Sequence, residues 1–102
     1  MRKHIVIVSG ANLEECDEGE INILSSVLGT FESEGEAVKA IEAHMGEIEG
    51  MLRESGSRWN KETHFGKCFS PEAQKRRGLA NAAEIRCPDY EINTVYTVIT
   101  TD

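Results

Sequence analysis

Three cysteines and three histidines are the side chains of this chain best suited to do chemistry on their own. A zinc site wants four ligands, usually as tight Cys or His pairs. His64 and Cys68 stand four apart and Cys87 lies further on, but no tight pair exists, and Gly66 opposes a helix presenting His64 and Cys68 together. A cysteine nucleophile wants a histidine that activates its thiolate. His4, His44 and His64 are all present, without a nucleophile–base spacing that singles out one. The expectation is therefore a chain with no catalytic residues, no metal and no cofactor. Cys16, Cys68 and Cys87, odd in number and irregularly spaced, read as free thiols. The alternative is a small metal-binding or enzymatic protein built on His64, Cys68 and Cys87. Ser9, Gly10, Ala11 and Asn12 after an apolar run look like the opening of a dinucleotide fold. Leu13, Glu14 and Glu15 follow, and those carboxylates would repel a pyrophosphate, so a turn is the simpler reading.

Charge says more about partners. The formal net charge is -7 over 102 residues. Between Arg58 and Arg77 there are six basic residues (Arg58, Lys61, Lys67, Lys75, Arg76 and Arg77) and two acids, leaving a +4 segment on a -11 background. Trp59, Phe65 and Phe69 are interleaved with these bases, a mixture that can stack on and neutralise a nucleic-acid strand. The surrounding negative field opposes a polyanion, so the simpler reading folds this segment back onto the chain's own acids. Nucleic acid is thus disfavoured as a partner. A second alternative is an acidic mimic of nucleic acid, with Glu14, Glu15, Asp17, Glu18, Glu20, Glu42 and Glu49 standing in for phosphates.

The elements that must position these groups are led by a helix between Phe31 and Gly56. Val38, Ile41, Met45, Ile48 and Leu52 recur at steps of three and four, which places them on one stripe. Ser33 and Glu36 have the spacing of a capping box, and Gly56 sits where a left-handed cap belongs. His44 falls on the flank of the stripe and reads as a core-edge residue. Ala43, Gly46 and Gly50 gather on the opposite face, either as a weak solvent face or as a groove for close approach by another backbone. His4–Ser9 predicts a strand with both faces buried, turning at Ser9–Asn12. Ile21–Phe31 predicts a second strand with a bulge near Gly29. Residues 57–69 read as a loop with aromatic anchors. Ser70, Pro71 and Glu72 open a short second helix. Glu84–Cys87 predicts a brief strand, and Tyr90–Thr100 the strongest one, with Tyr90, Ile92, Thr94, Tyr96 and Val98 on one face and Val95 and Ile99 on the other.

Together these predict a single α+β domain over residues 1–102. It has a small, mostly antiparallel sheet of three or four strands, one long helix on one face, and a loop and short helix inserted at 57–83. No apolar run is long enough to span a membrane. The run from Ile5 to Val8 is too short for an export signal, so the expected location is cytoplasmic. The segment Val27, Leu28, Gly29, Thr30, Phe31, Glu32 and Ser33, with Ala37 and Ile41, resembles a strand-to-helix junction of small uncharacterised bacterial and phage accessory proteins. That resemblance covers about residues 4–45 and implies an accessory protein with no catalytic residues to carry over. The resulting expectation is a non-enzymatic module acting on a protein partner, a second copy of the chain included. Its contact surface would be a sheet edge, the small-residue face of Ala43, Gly46 and Gly50, or the segment holding Arg58, Trp59, Lys61, Phe65, Lys67, Lys75, Arg76 and Arg77.

Overall fold

The computed structural model describes residues 2–12, 22–77, 80–87 and 92–101, and of residues 11, 12, 22–24, 76, 77, 92 and 93 it describes the backbone. Five strands and three helices alternate in the order β1 (Lys3–Asn12), β2 (Asn22–Phe31), α1 (Glu34–Glu54), β3 (Asn60–Thr63), α2 (Phe65–Cys68), α3 (Pro71–Arg77), β4 (Ala80–Cys87) and β5 (Ile92–Thr101). The strands form one sheet in the order β2-β1-β5-β4-β3, and every neighbouring pair is antiparallel. The fold is α+β as expected, with five strands rather than three or four.

The strand order explains α1. β2 and β3 lie on opposite edges of the sheet, so the segment joining them must cross it. Four inter-strand steps of about 4.8 Å make a width of about 19 Å, which a 21-residue helix of about 31 Å spans obliquely. Ser33 caps its start, its Oγ accepting from the Glu36 N–H at 3.2 Å. At its end the Ser57 N–H donates to the Leu52 carbonyl and the Gly56 N–H to that of Arg53. Gly56 has φ +72, the left-handed conformation that this pattern requires. Ala37, Ile41 and Met45 are buried on the sheet, with Val38, Ile48 and Leu52 packed around them.

Register partners in an antiparallel pair share a face. His4, Val6 and Val8 of β1 lie opposite Thr100, Val98 and Tyr96 of β5, and Ala80, Ala83 and Ile85 of β4 continue this side. Val6, Tyr96 and Val98 are fully buried here. Phe65, Cys68, Phe69 and Ala73 join the same core, so all three helices cover one side of the sheet.

Two bulges adjust the strands. The β1–β2 register steps over Leu28, so Leu28 and Gly29 fall together where strict alternation would separate them. A Cβ on Gly29 would lie 2.7 Å from Phe31 Cζ, so the phenyl ring covers the space that glycine leaves bare. The β4–β5 register steps over Ala82, and consecutive Ala82 and Ala83 are both fully buried.

Several expected boundaries move. The turn expected at Ser9–Asn12 is strand, because β1 continues in register with β2 as far as Asn12. The expected loop 57–69 contains β3 and α2: Asn60–Thr63 pairs with β4, and the His64 N–H donates to the Ala82 carbonyl at 2.8 Å. Alternation was hidden there because all four β3 residues are exposed. The brief strand expected at Glu84–Cys87 begins at Ala80, its first half masked by three alanines of good helix propensity. The β-branched run of β1 suggested burial on both faces, yet no described element covers its second face.

Gln74 ties α3 to the sheet. The described part of β4 begins at Ala80, the partner of Val98. The Gln74 carboxamide bonds β5 from that point on: Nε2 donates to the Val98 carbonyl at 3.1 Å and to that of Cys68 at 2.8 Å. Its Oε1 accepts from the Thr100 N–H at 3.1 Å. Gln74→Ala strands these partly buried groups and should lower unfolding free energy by about 1–3 kcal/mol in urea titration. A loss below a few tenths would mean the side chain is not a substitute strand.

Candidate interaction surface

Most of the described chemistry-bearing side chains are engaged inside the structure. The Cys68 thiol donates to the Phe65 carbonyl at 3.6 Å, and the Cys87 thiol to that of Arg58 at 3.2 Å. Cys68 and Cys87 are buried and free, and Cys16 lies outside the described residues. Burial pushes the Cys68 thiol up to about 11, away from the thiolate a nucleophile needs. His4 Nδ1 bonds Thr100 Oγ1 at 3.0 Å, and its ring meets Phe69 edge to face. His44 Nδ1 lies 2.6 Å from the Tyr96 hydroxyl, which places His44 at the core edge as its position on the stripe suggested. Burial first, then the carboxylates of Glu47 and Glu49, hold the Tyr96 phenol protonated. That proton is available to His44 Nδ1 in the tautomer carrying its hydrogen on Nε2. His64 is exposed beside Glu62, 3.8 Å away. Among the described residues no group of three or more His, Cys, Asp or Glu side chains is placed to hold a metal ion.

The basic–aromatic segment lies against α1 at one point. Glu49 takes the Trp59 Nε1–H on Oε2 and the Lys61 ammonium on Oε1, both at 3.2 Å. Arg53 stands 5.8 Å over the Trp59 ring, within cation–π reach. Phe65 packs on the core. Lys67 and Lys75 are exposed. Arg58 is engaged within the protein, and Arg76 and Arg77 lie on the described backbone of α3. The segment is therefore split among β3, α2 and α3 rather than gathered into one stripe. Of the acids proposed as phosphate mimics, Glu42 is exposed and Glu49 is engaged; Glu14, Glu15, Asp17, Glu18 and Glu20 lie outside the described residues.

On the outside of α1, Ala43 and Gly46 are exposed and Gly50 half-buried. A Cβ on Gly46 or Gly50 would meet nothing within 4 Å, so no described backbone approaches there.

One apolar feature was missed by sequence reasoning. Ile5 and Ile7 of β1, Val95 and Ile99 of β5 and Val27 of β2 share the side of the sheet away from the helices. None of them belongs to the core or packs against it. Val27 is 63% exposed, and the other four are half-buried among their own strand neighbours. Toward β3 and β4 the same face turns polar, with Asn60, Glu62, Glu84 and Arg86 around a shallow depression of ≈ 290 Å³. The available signal was the inventory of covers: alternation in β1 and β5 is apolar on both sides, while the chain has one long helix.

No known family model, curated protein or solved structure matches the chain. No described helix is long and apolar enough to cross a membrane.

Two measurements check these assignments. Trp59 is the only tryptophan, so its emission reports on the Glu49 contact. Glu49→Ala should shift that emission to the red and increase quenching by iodide, and Lys61→Ala should do so less. Unchanged emission in Glu49→Ala would contradict the docking. For Cys68, the raised value favours the folded state while the thiol is protonated. The contribution is complete below the unfolded value of 9.0 and is lost as pH rises to about 11. Stability should therefore fall between pH 9 and 11, and Cys68→Ala should flatten part of that fall. An identical pH slope in the variant would remove Cys68 as a cause.

Proposed function

We propose that this chain is a non-enzymatic accessory module that works through protein contacts, with the bare side of its sheet as the contact surface. The observation that carries the reading is the cluster of Ile5, Ile7, Val27, Val95 and Ile99 on a sheet face without a described cover. Contiguous apolar surface of this kind is uncommon on isolated soluble domains and marks interaction sites. The engagement of the Cys68 and Cys87 thiols and of His4 and His44 with neighbouring groups supports a structural use for these four rather than a catalytic one. A cytoplasmic location suits free thiols. An accessory role of the bacterial or phage type, carried by the Gly29–Phe31 junction, fits the same picture.

Photo-crosslinking in cells tests the reading. A benzophenone side chain replacing Val27 should form a protein adduct of one defined mass, and the same group replacing Glu42 on α1 should not. No adduct from position 27, or the same adducts from both positions, would overturn the surface assignment. An adduct to nucleic acid would overturn the protein-contact reading.

A further inference from the structure

We infer that the occupant of the bare sheet face is a second copy of this chain, packed sheet against sheet in an isologous homodimer. The inference rests on the protein-contact reading above and adds the identity of the partner.

Area is the first argument. At about 3.3 Å per residue and about 4.8 Å per strand, the ten-residue β1, β2 and β5 give about 480 Å² in plan, and the eight residues of β4 with the four of β3 about 190 Å² more, before pleat and side chains enlarge it. A standard interface buries about 800 Å² per partner, so one face of this sheet is of the size a stable dimer needs. Sheets packed in this way bring their inner faces to about 10 Å and interdigitate the side chains, giving each sheet a second layer on the side where no described element lies.

Charge is the second argument. The chain carries -7, which opposes association of two copies through most of its surface. On the bare face the described charges cancel. Its charged residues among those described are Lys3 and Arg86 against Glu62 and Glu84, so its formal charge is zero. Arg86 and Glu84 already pair with one another at 3.5 Å on the β4 flank. Lys3 stands at the opposite end, near the start of β1, and the apolar centre around Ile7 carries no charge. A neutral, uncharged-centred patch suits an isologous contact, in which the same patch meets itself. Neither a strongly basic nor a strongly acidic partner finds an opposite net charge among the described residues of this face.

Sedimentation velocity on the full chain tests the proposal, at concentrations up to about 200 µM, above the micromolar Kd that a loosely packed interface of this size gives. The wild type should sediment at twice the mass of one chain. Ile7→Lys and Val27→Lys should each weaken association at least about tenfold with unchanged far-UV circular dichroism. Val27 is 63% exposed, so its variant keeps the test decisive if Ile7→Lys fails to fold. Gly46→Lys, on the outer face of α1, should leave the dimer intact. A wild type that stays monomeric throughout overturns the dimer. A dimer that persists in Val27→Lys, or is lost in Gly46→Lys, moves the contact off this face and also overturns it. Failure here is distinguishable from failure of the protein-contact reading: a monomer whose position 27 still crosslinks to another protein keeps the module and loses the dimer.

Discussion

The structure depends on the seating of one amphipathic helix across one side of a five-stranded sheet. α1 begins beside β2 at one edge and ends beside β3 at the other, and its stripe of Ala37, Ile41 and Met45 lies over β1, β5 and their neighbours. Burying these three with Val6, Tyr96, Val98 and Ile85 removes from water most of the apolar surface that one side of the sheet offers. α2 and α3 then extend the same layer with Cys68, Phe69 and Ala73. With all the described helical cover on that side, the other side of the sheet is left without any. Its apolar residues are then accounted for by something outside the described structure, and that consequence carries the functional reading.

Polar groups at the helix–sheet boundary hold the layers in register. His44 reaches Tyr96 in β5, His4 reaches Thr100 while its ring abuts Phe69, and Glu49 collects Trp59 and Lys61 from the start of β3. Gln74 bonds the Val98 carbonyl and the Thr100 N–H of β5. The His44–Tyr96, His4–Thr100 and Gln74 contacts are partly buried and join elements far apart in sequence, the kind that specifies one arrangement among several of similar apolar burial. His4 and His44 were candidates for chemistry in the sequence, since the histidine type alone does not separate a catalytic role from a fastening one.

What was legible in the sequence follows from the range of the interactions involved. α1 could be read to within a residue or two, because its stripe, its Ser33 cap and its Gly56 terminus are local signals. The start of α3 was likewise readable from Ser70 and Pro71, and the Ser70 hydroxyl accepts from the Ala73 N–H. The faces of β5 were readable from its alternation. β3 and the first half of β4 were not, because a fully exposed edge strand has no alternation, and an alanine-rich strand is defined by its neighbours rather than by its own propensities. The candidate surface was the least legible feature. Ile5 and Ile7 differ from Val6 and Val8 only in which side of the sheet the helices occupy, and that is a property of topology, not of sequence spacing.

The most direct test of a sheet covered on one side alone is solvent relaxation of methyl groups in a sample dilute enough to be monomeric. With a soluble paramagnetic chelate, the methyls of Ile5, Ile7, Val27, Val95 and Ile99 should broaden strongly, while those of Val6, Ile41, Met45 and Val98 stay sharp. Equal protection of Ile7 and Val6, or of Ile99 and Val98, would show a second cover within the chain and contradict the account.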